Sequence, residues 1–271
     1  MSTPPHPRFS VVFVVGVAHC GSTLLGRLLD MHSRALCVGE LLRTDLALET
    51  GLPCGCGAKI PDCEFWKPLV PSLEAETRLD PERFRAETYR RIARGHGKEV
   101  VVDLSKTRAW RLATRWRDAD VGFVLLIRDS RGVMASTARQ GKDIRHPLGR
   151  HKKWMKRYLR FARGRGERCL TVHYEDLCRA PQAELERICA FLGLAYEPAM
   201  LRPAEKVHHF VHSSVSGYLK ASNEIRRDER WRDELPVDAI REVERVMRKL
   251  PCFEGRVDTF RAPIVEGAGP S

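Results

Sequence analysis

The chain has 271 residues, 43% hydrophobic and 30% charged, a balance that can fill a globular core and excludes disorder as the main state. Lys and Arg number 47 against 35 acids, and the net charge of +12 calls for an anionic partner. Most of that excess is local, since residues 145–168 carry ten Lys/Arg and one acid, Glu167.

In chain order, Phe9 to Gly16 is a β-branched run that reads as a buried strand, and Ser22 to His32 places Leu24, Leu25, Leu28 and Leu29 at helical spacing. Ala35 to Gly39 reads as a short strand and Leu41 to Leu48 as a helix. An irregular insert at about 53–71, rich in Cys, Gly and Pro, precedes a helix over Asp80 to Arg94 that opens on Asp-Pro. Glu99 to Leu104 is a strand, Arg108 to Arg117 a helix, Val121 to Ile127 the strongest strand, and Ser130 to Gln140 the helix after it. Cys169 to Tyr174 and Pro181 to Leu192 repeat strand and helix. This alternation predicts an α/β fold, a doubly wound parallel sheet with helices on both faces, because parallel neighbours need long crossovers. Ligands of such sheets bind at the carboxyl ends of the strands, here after Gly16, Leu104, Ile127 and Tyr174. A single domain over 1–271 is expected, with loose tails at about 1–8 and 262–271.

Nine cysteines are scattered through a chain too large for a disulfide-stapled mini-domain, so most are expected as free thiols. The apolar run Val11 to Ala18 is too short to cross a bilayer and leads into a glycine turn. A cytoplasmic protein without a membrane span is expected.

Gly16-Val-Ala-His-Cys-Gly21-Ser22-Thr23 lies between the first strand and its helix. Glycines there let successive amides converge on one anion at the positive end of the helix dipole. The spacing matches G-x-x-x-x-G-K-[ST], with Ser22 in place of the lysine that a nucleoside-triphosphate enzyme uses on its β and γ phosphates. The loop suits a smaller charge, such as a single phosphate.

The segment Val14 to Gly26 resembles the 5′-phosphosulfate loop, G-x-x-R-S-G-[ST]-T-L-L, of the sulfotransferases that use 3′-phosphoadenosine 5′-phosphosulfate (PAPS). Val124 to Ser136 resembles their 3′-phosphate motif, in which Arg128 ends a strand and Ser136 follows eight residues later. Val172-His-Tyr174-Glu-Asp-Leu is similar to the family's tyrosine-bearing strand end, and Ser216-Gly217 through Trp231 to the C-terminal segment of bacterial members. The resemblance covers roughly Val11 to Trp231 and implies a P-loop NTPase-like fold, PAPS as donor, 3′,5′-ADP as product and no metal requirement. It implies that the amides from Cys20 through Gly21 to Leu24, with the hydroxyls of Ser22 and Thr23, hold the 5′-phosphate. Arg128 and Ser136 then hold the 3′-phosphate, and Tyr174, Lys220, Arg226 and Arg227 complete the cofactor site.

Sulfuryl transfer needs a base for the acceptor's proton and cations facing the leaving oxygen. Cys37-Val-Gly39-Glu40 looks like the C-G-E segment of the tyrosylprotein branch, which makes Glu40 the expected base, the alternative being an acid at a helix start. Val102 to Lys106 resembles the segment whose lysine stabilises the transition state, so Lys106 is the expected cation. His19 stands where the family usually has Arg or Lys, and three roles stay open for it: replacement cation, neutral hydrogen-bond donor, or base.

Three constellations are ambiguous. Cys54-x-Cys56-x6-Cys63 offers three soft metal ligands, with Cys37 or a histidine as a fourth, but lacks the second pair usual for zinc. Reduced thiols or a local disulfide over the site are favoured, and no metal ligand is assigned. His146 to Arg165 sets Trp154, Tyr158 and Phe161 among bases at near-helical spacing, read as an amphipathic helix with its aromatics inward rather than a nucleic-acid or membrane binder. His208, His209 and His212, with Ser213, Ser214 and Ser216, read as a loop ordered over the cofactor, with metal binding the alternative.

The reading is therefore a PAPS-dependent sulfotransferase acting on a small-molecule, carbohydrate or peptide acceptor, without nucleic acid. The alternatives are a P-loop kinase, with Val100 to Asp103 imitating a magnesium-holding strand, and a non-enzymatic basic binder. Neither acceptor identity nor oligomeric state is written in these residues.

Overall fold

The computed structural model describes residues 7–73, 86–106, 120–141, 143–211 and 222–250. Within them β1 (Val11–Val15), β2 (Ala35–Cys37), β3 (Val100–Asp103), β4 (Val121–Ile127) and β5 (Cys169–His173) form an all-parallel sheet in the order β2-β3-β1-β4-β5. Val11 sits in register with Val101 on one side and Val121 on the other, which makes β1 central. Every residue of β1, β3 and β4 is buried, the reason these strands read as apolar runs rather than alternating ones, with Asp103 at the end of β3 the one buried charge among them.

The described helices are α1 (Ser22–Asp30), α2 (Thr44–Thr50), α3 (Ala86–Gly95), α4 (Ser130–Ala138), α5 (Arg145–Arg165), α6 (Tyr174–Arg179), α7 (Pro181–Leu192), α8 (Trp231–Glu234) and α9 (Val237–Met247). The chain leaves β1 toward β2 in one direction and leaves β4 toward β5 in the other. Right-handed crossovers then send α1 and the α4–α5 pair to opposite faces, and a crevice opens where the strand order switches, at the carboxyl ends of β1 and β4.

The core follows the expected periodicities. Leu24, Leu25, Leu28 and Leu29 of α1 are buried, each contributing roughly 1.5–3 kcal/mol of burial. Phe13 meets Tyr89 edge-on at 5.4 Å and stacks on Phe123 at 6.1 Å. In α5, Leu148, His151, Met155, Tyr158 and Phe161 face inward at intervals of three and four, while Lys153, Lys156, Arg157 and Arg160 are exposed. Those aromatics belong to the core, and Trp154, half-buried, stacks on Tyr158.

Some boundaries differ. Leu41–Arg43 is a single 3-10 turn before α2, and β5 ends at His173, so that Tyr174 opens the short α6 instead of closing a strand. Six residues are too few for periodicity to mark such a helix. The expected helix over 108–117, the start of the one at 80, and most of both tails lie outside the described residues. Among the described residues, no helix is long and apolar enough to cross a membrane.

Candidate active site

The loop between β1 and α1 turns on two residues with positive φ, His19 at 65° and Gly21 at 92°. A Cβ at Gly21 would meet Tyr174 Cδ2 at 2.4 Å, so glycine is what lets the tyrosine ring close on the loop. α1 starts at Ser22 with no side-chain cap, so its first amides have no intrahelical acceptor and carry the positive end of the helix. Gly21, Ser22, Thr23 and Leu24 all line the cleft. The Cys20 side chain does not, because it is fully buried beneath Gly16, where burial pushes its thiol pKa up. Of the expected loop ligands, Cys20 can contribute only main chain.

Across the cleft, Arg128 lies at the end of β4, 7% exposed. Its Nη1 donates to the His19 carbonyl at 3.0 Å, its Nη2 to Asp228 Oδ2 at 3.1 Å, and its guanidinium lies 4.5 Å from the Tyr174 ring centroid. Gly132, one turn into α4, leaves room for it: a Cβ there would come within 3.1 Å of Arg128 Nε. Arg230 and Arg128 hold the Asp228 carboxyl well below the usual carboxylate range. Tyr174 is a hub as well, its hydroxyl donating to the Arg226 carbonyl and accepting from the Asp228 amide, and burial raises its phenol pKa. Ser136 lines the same cleft and accepts from Arg139 Nη2 at 2.7 Å.

The two residues expected to do chemistry meet. Lys106 Nζ is paired with Glu40 Oε1, and Arg43 Nε lies 2.9 Å from Glu40 Oε2. Lys106 holds a left-handed φ of 51°, a strained conformation for a side-chain-bearing residue. The backbone beneath is wired: Leu104 donates to the Gly39 carbonyl, Leu42 to Ser105 Oγ, and the Ser105 amide to Asp103 Oδ1. Burial pushes the Asp103 carboxyl up to about 6, although Ser105 and the Tyr89 hydroxyl hydrogen-bond to it.

The cleft has a volume of about 820 Å³, and its lining includes six Lys/Arg, namely Lys106, Arg128, Arg139, Arg226, Arg227 and Arg230, against three acids. His19 lines it too. Arg227 Nη2 is buried with no hydrogen-bond partner among the described residues, at 3.7 Å from Asp129. An orphaned guanidinium nitrogen, a glycine-cleared helix start and an excess of cations fit a ligand with separated anionic groups. Arg139, Asp228 and Arg230 were not legible beforehand, since Asp228 reaches Arg128 across 100 residues. Arg43 had a signal, three residues after Glu40 on a helical turn. Lys220 lies outside the described residues.

Of the late histidines expected over the cofactor, the described His208 and His209 do not line the cleft. His208 is buried between Asp30 Oδ2 and the Pro203 carbonyl, each at 2.7 Å, and residues 209–211 run beside Val38 to Glu40, with His212 outside the described residues. Burial alone would raise the Asp30 pKa, but His208 and Lys206 hold it below the usual range. His209 instead joins Cys54, Cys56 and Cys63. The missing partner of that triad comes from a position 146 residues after Cys63, and Cys37 packs beneath Gly26 in the core.

The family model described as Sulfotransferase family matches residues 11–198. A Caenorhabditis briggsae protein assigned as a protein-tyrosine sulfotransferase is 24% identical over 217 residues, 73% of this chain and 70% of its own length. Among solved structures, the sulfotransferase domain from the curacin biosynthetic pathway superposes with a TM-score of 0.65 at 21% identity, covering 94% of this chain and 99% of its own. The sulfotransferase domain of the Synechococcus PCC 7002 olefin synthase gives 0.60 at 20% identity, with coverage of 97% and 100%. Mouse sulfotransferase SULT7A1, complexed with PAP, gives 0.51 at 12% identity, with coverage of 93% and 89%.

Proposed function

The chain belongs to the sulfotransferase family and is a transferase of sulfuryl groups; from that premise we propose that its donor is PAPS, its coproduct 3′,5′-ADP and its acceptor an alcohol or amine. The observation that carries this reading is the convergence on one cleft of the Gly21–Leu24 helix start, Arg128 with Ser136 and Arg227, and Lys106 paired with Glu40. The PAP bound to mouse SULT7A1 supports the choice of donor.

Bound PAPS supplies a sulfuryl group already activated on a phosphate leaving group. The amides of residues 20–24 and the hydroxyls of Ser22 and Thr23 hold the 5′ end. Arg128, Ser136 and Arg227 hold the 3′-phosphate, and because Arg128 also grips the His19 carbonyl, capture at that end stiffens the loop at the other. His19, which lines the cleft where the family usually has Arg or Lys, would meet the sulfuryl oxygens. Glu40, steadied by Lys106 and Arg43, takes the acceptor's proton, and Lys106 meets the charge growing on the leaving oxygen as sulfur passes in line to the acceptor. Tyr174 and Arg226 line the same cleft, the Tyr174 hydroxyl donating to the Arg226 carbonyl.

Thermal shift tests the reading, because a ligand of the native state raises its apparent stability. Stabilisation is expected from 3′,5′-ADP without magnesium, and little from ATP with it; the reverse would overturn PAPS as the donor. A panel of peptide, carbohydrate and small-molecule acceptors with labelled PAPS then identifies the acceptor.

A further inference from the structure

Away from the cleft, where the insert at residues 53–66 meets the segment 207–211, four metal-ligating side chains cluster. The Sγ atoms of Cys54, Cys56 and Cys63 and Nδ1 of His209 all lie within 4.8 Å of one another. Cys63 Sγ is 3.7 Å from both other sulfurs, and His209 Nδ1 is 3.2 Å from Cys63 Sγ and 3.9 Å from Cys54 Sγ. A disulfide would bring two sulfurs to about 2.05 Å. A tetrahedral zinc ion with Zn–S near 2.3 Å and Zn–N near 2.05 Å instead sets S···S at about 3.8 Å and S···N at about 3.6 Å. The two S···S spacings match the second arrangement and not the first, and the two S···N spacings fall on either side of its value.

We propose that Cys54, Cys56, Cys63 and His209 bind one structural zinc ion in a closed Cys3His site. The backbone is shaped for it. Cys54 and Cys56 sit on a tight turn closed by the Gly57 amide on the Cys54 carbonyl (2.8 Å) and the Cys54 amide on the Ala58 carbonyl (2.7 Å), with Gly57 at φ 100°. Gly55 lets that turn press on the other segment, since a Cβ there would lie 2.4 Å from the His208 carbonyl. The imidazole of His209 is oriented by the Phe65 ring stacked on it at 5.0 Å, and its carbonyl accepts from Trp66 Nε1 at 2.8 Å. Such outer partners fix a ligating histidine's ring and position.

The ion has a task in the fold. Two residues after His209, the Val211 amide donates to the Val38 carbonyl and its carbonyl accepts from the Glu40 amide. Zinc thus staples the insert to the strip of backbone that supports Glu40. That last link rests on the reading of Glu40 as the base, whereas the metal site does not.

Metal analysis of the full-length protein, purified without chelator from zinc-replete medium, tests the site independently of activity. About one zinc per chain is expected in wild type, below about a tenth of that in Cys63→Ser, and near-full occupancy in His209→Cys, which restores a fourth ligand. Cobalt loaded in place of zinc should show thiolate-to-metal charge transfer and the visible bands of a tetrahedral site. Wild-type protein free of zinc and silent with cobalt, or a disulfide among the three cysteines found by mass spectrometry, overturns the proposal. If zinc is present yet Cys63→Ser and Glu40→Gln have no effect on sulfate transfer, the site stands and the role of Glu40 falls.

Discussion

Replacing Arg128 by alanine probes the grip on the 3′-phosphate. Its guanidinium is almost wholly buried, so charge-assisted hydrogen bonds to a phosphate would be worth about 1.5–3 kcal/mol there, or roughly 10- to 150-fold in Kd. The same group holds the His19 carbonyl and Asp228, so its loss also loosens the loop for any nucleotide. Comparing two ligands removes that common damage. In calorimetric titrations the variant should lose about 10- to 150-fold more affinity for 3′,5′-ADP than for 5′-AMP, which lacks the 3′-phosphate. Equal losses for the two nucleotides would refute the assignment of Arg128 to that phosphate.

Further outcomes follow from neighbouring contacts. Asp228→Asn removes a carboxylate that competes for Arg128, so 3′,5′-ADP should bind roughly fivefold tighter, about 1 kcal/mol after solvent screening, and weaker binding would contradict this. Glu40→Gln should cut turnover by about 10²-fold or more while the Kd for 3′,5′-ADP stays nearly unchanged, as judged by labelled-sulfate transfer and titration together. Gly21→Ala, forced into the left-handed region against the Tyr174 ring, should abolish nucleotide-induced thermal stabilisation, and a normal shift would show that the ring is not held there. Asp103 has a native pKa of about 6, above its unfolded value, so the native state binds the extra proton between about pH 4 and 6 and stability from this group falls as pH rises through that window. Denaturant titrations of Asp103→Asn against wild type should show that difference in slope, and parallel pH profiles would exclude it.

Much of the fold was legible because parallel strands buried on both faces must be apolar throughout: Val11–Val15 and Val121–Ile127 declare themselves without any partner. The places of the glycine turn before α1 and of Arg128 after β4 were legible for a related reason, since glycine spacing and a charge at a strand's carboxyl end are local facts. Contacts set by topology alone were not. Nothing in the spacing around Asp228 points to Arg128, and the cysteine triad admitted a histidine without singling out His209, because each pair closes only when the late segment folds back on the sheet. Of the segment read as a loop over the cofactor, His208 is buried on Asp30 and Val211 pairs beside Glu40, while His212, Ser213, Ser214 and Ser216 lie outside the described residues.

A crystal structure of the protein with 3′,5′-ADP tests the reading most directly. The 5′-phosphate should rest on the amides that open α1, with the 3′-phosphate on Arg128, Ser136 and Arg227. A nucleotide bound outside that cleft, or one seated with its two phosphates exchanged, would contradict it.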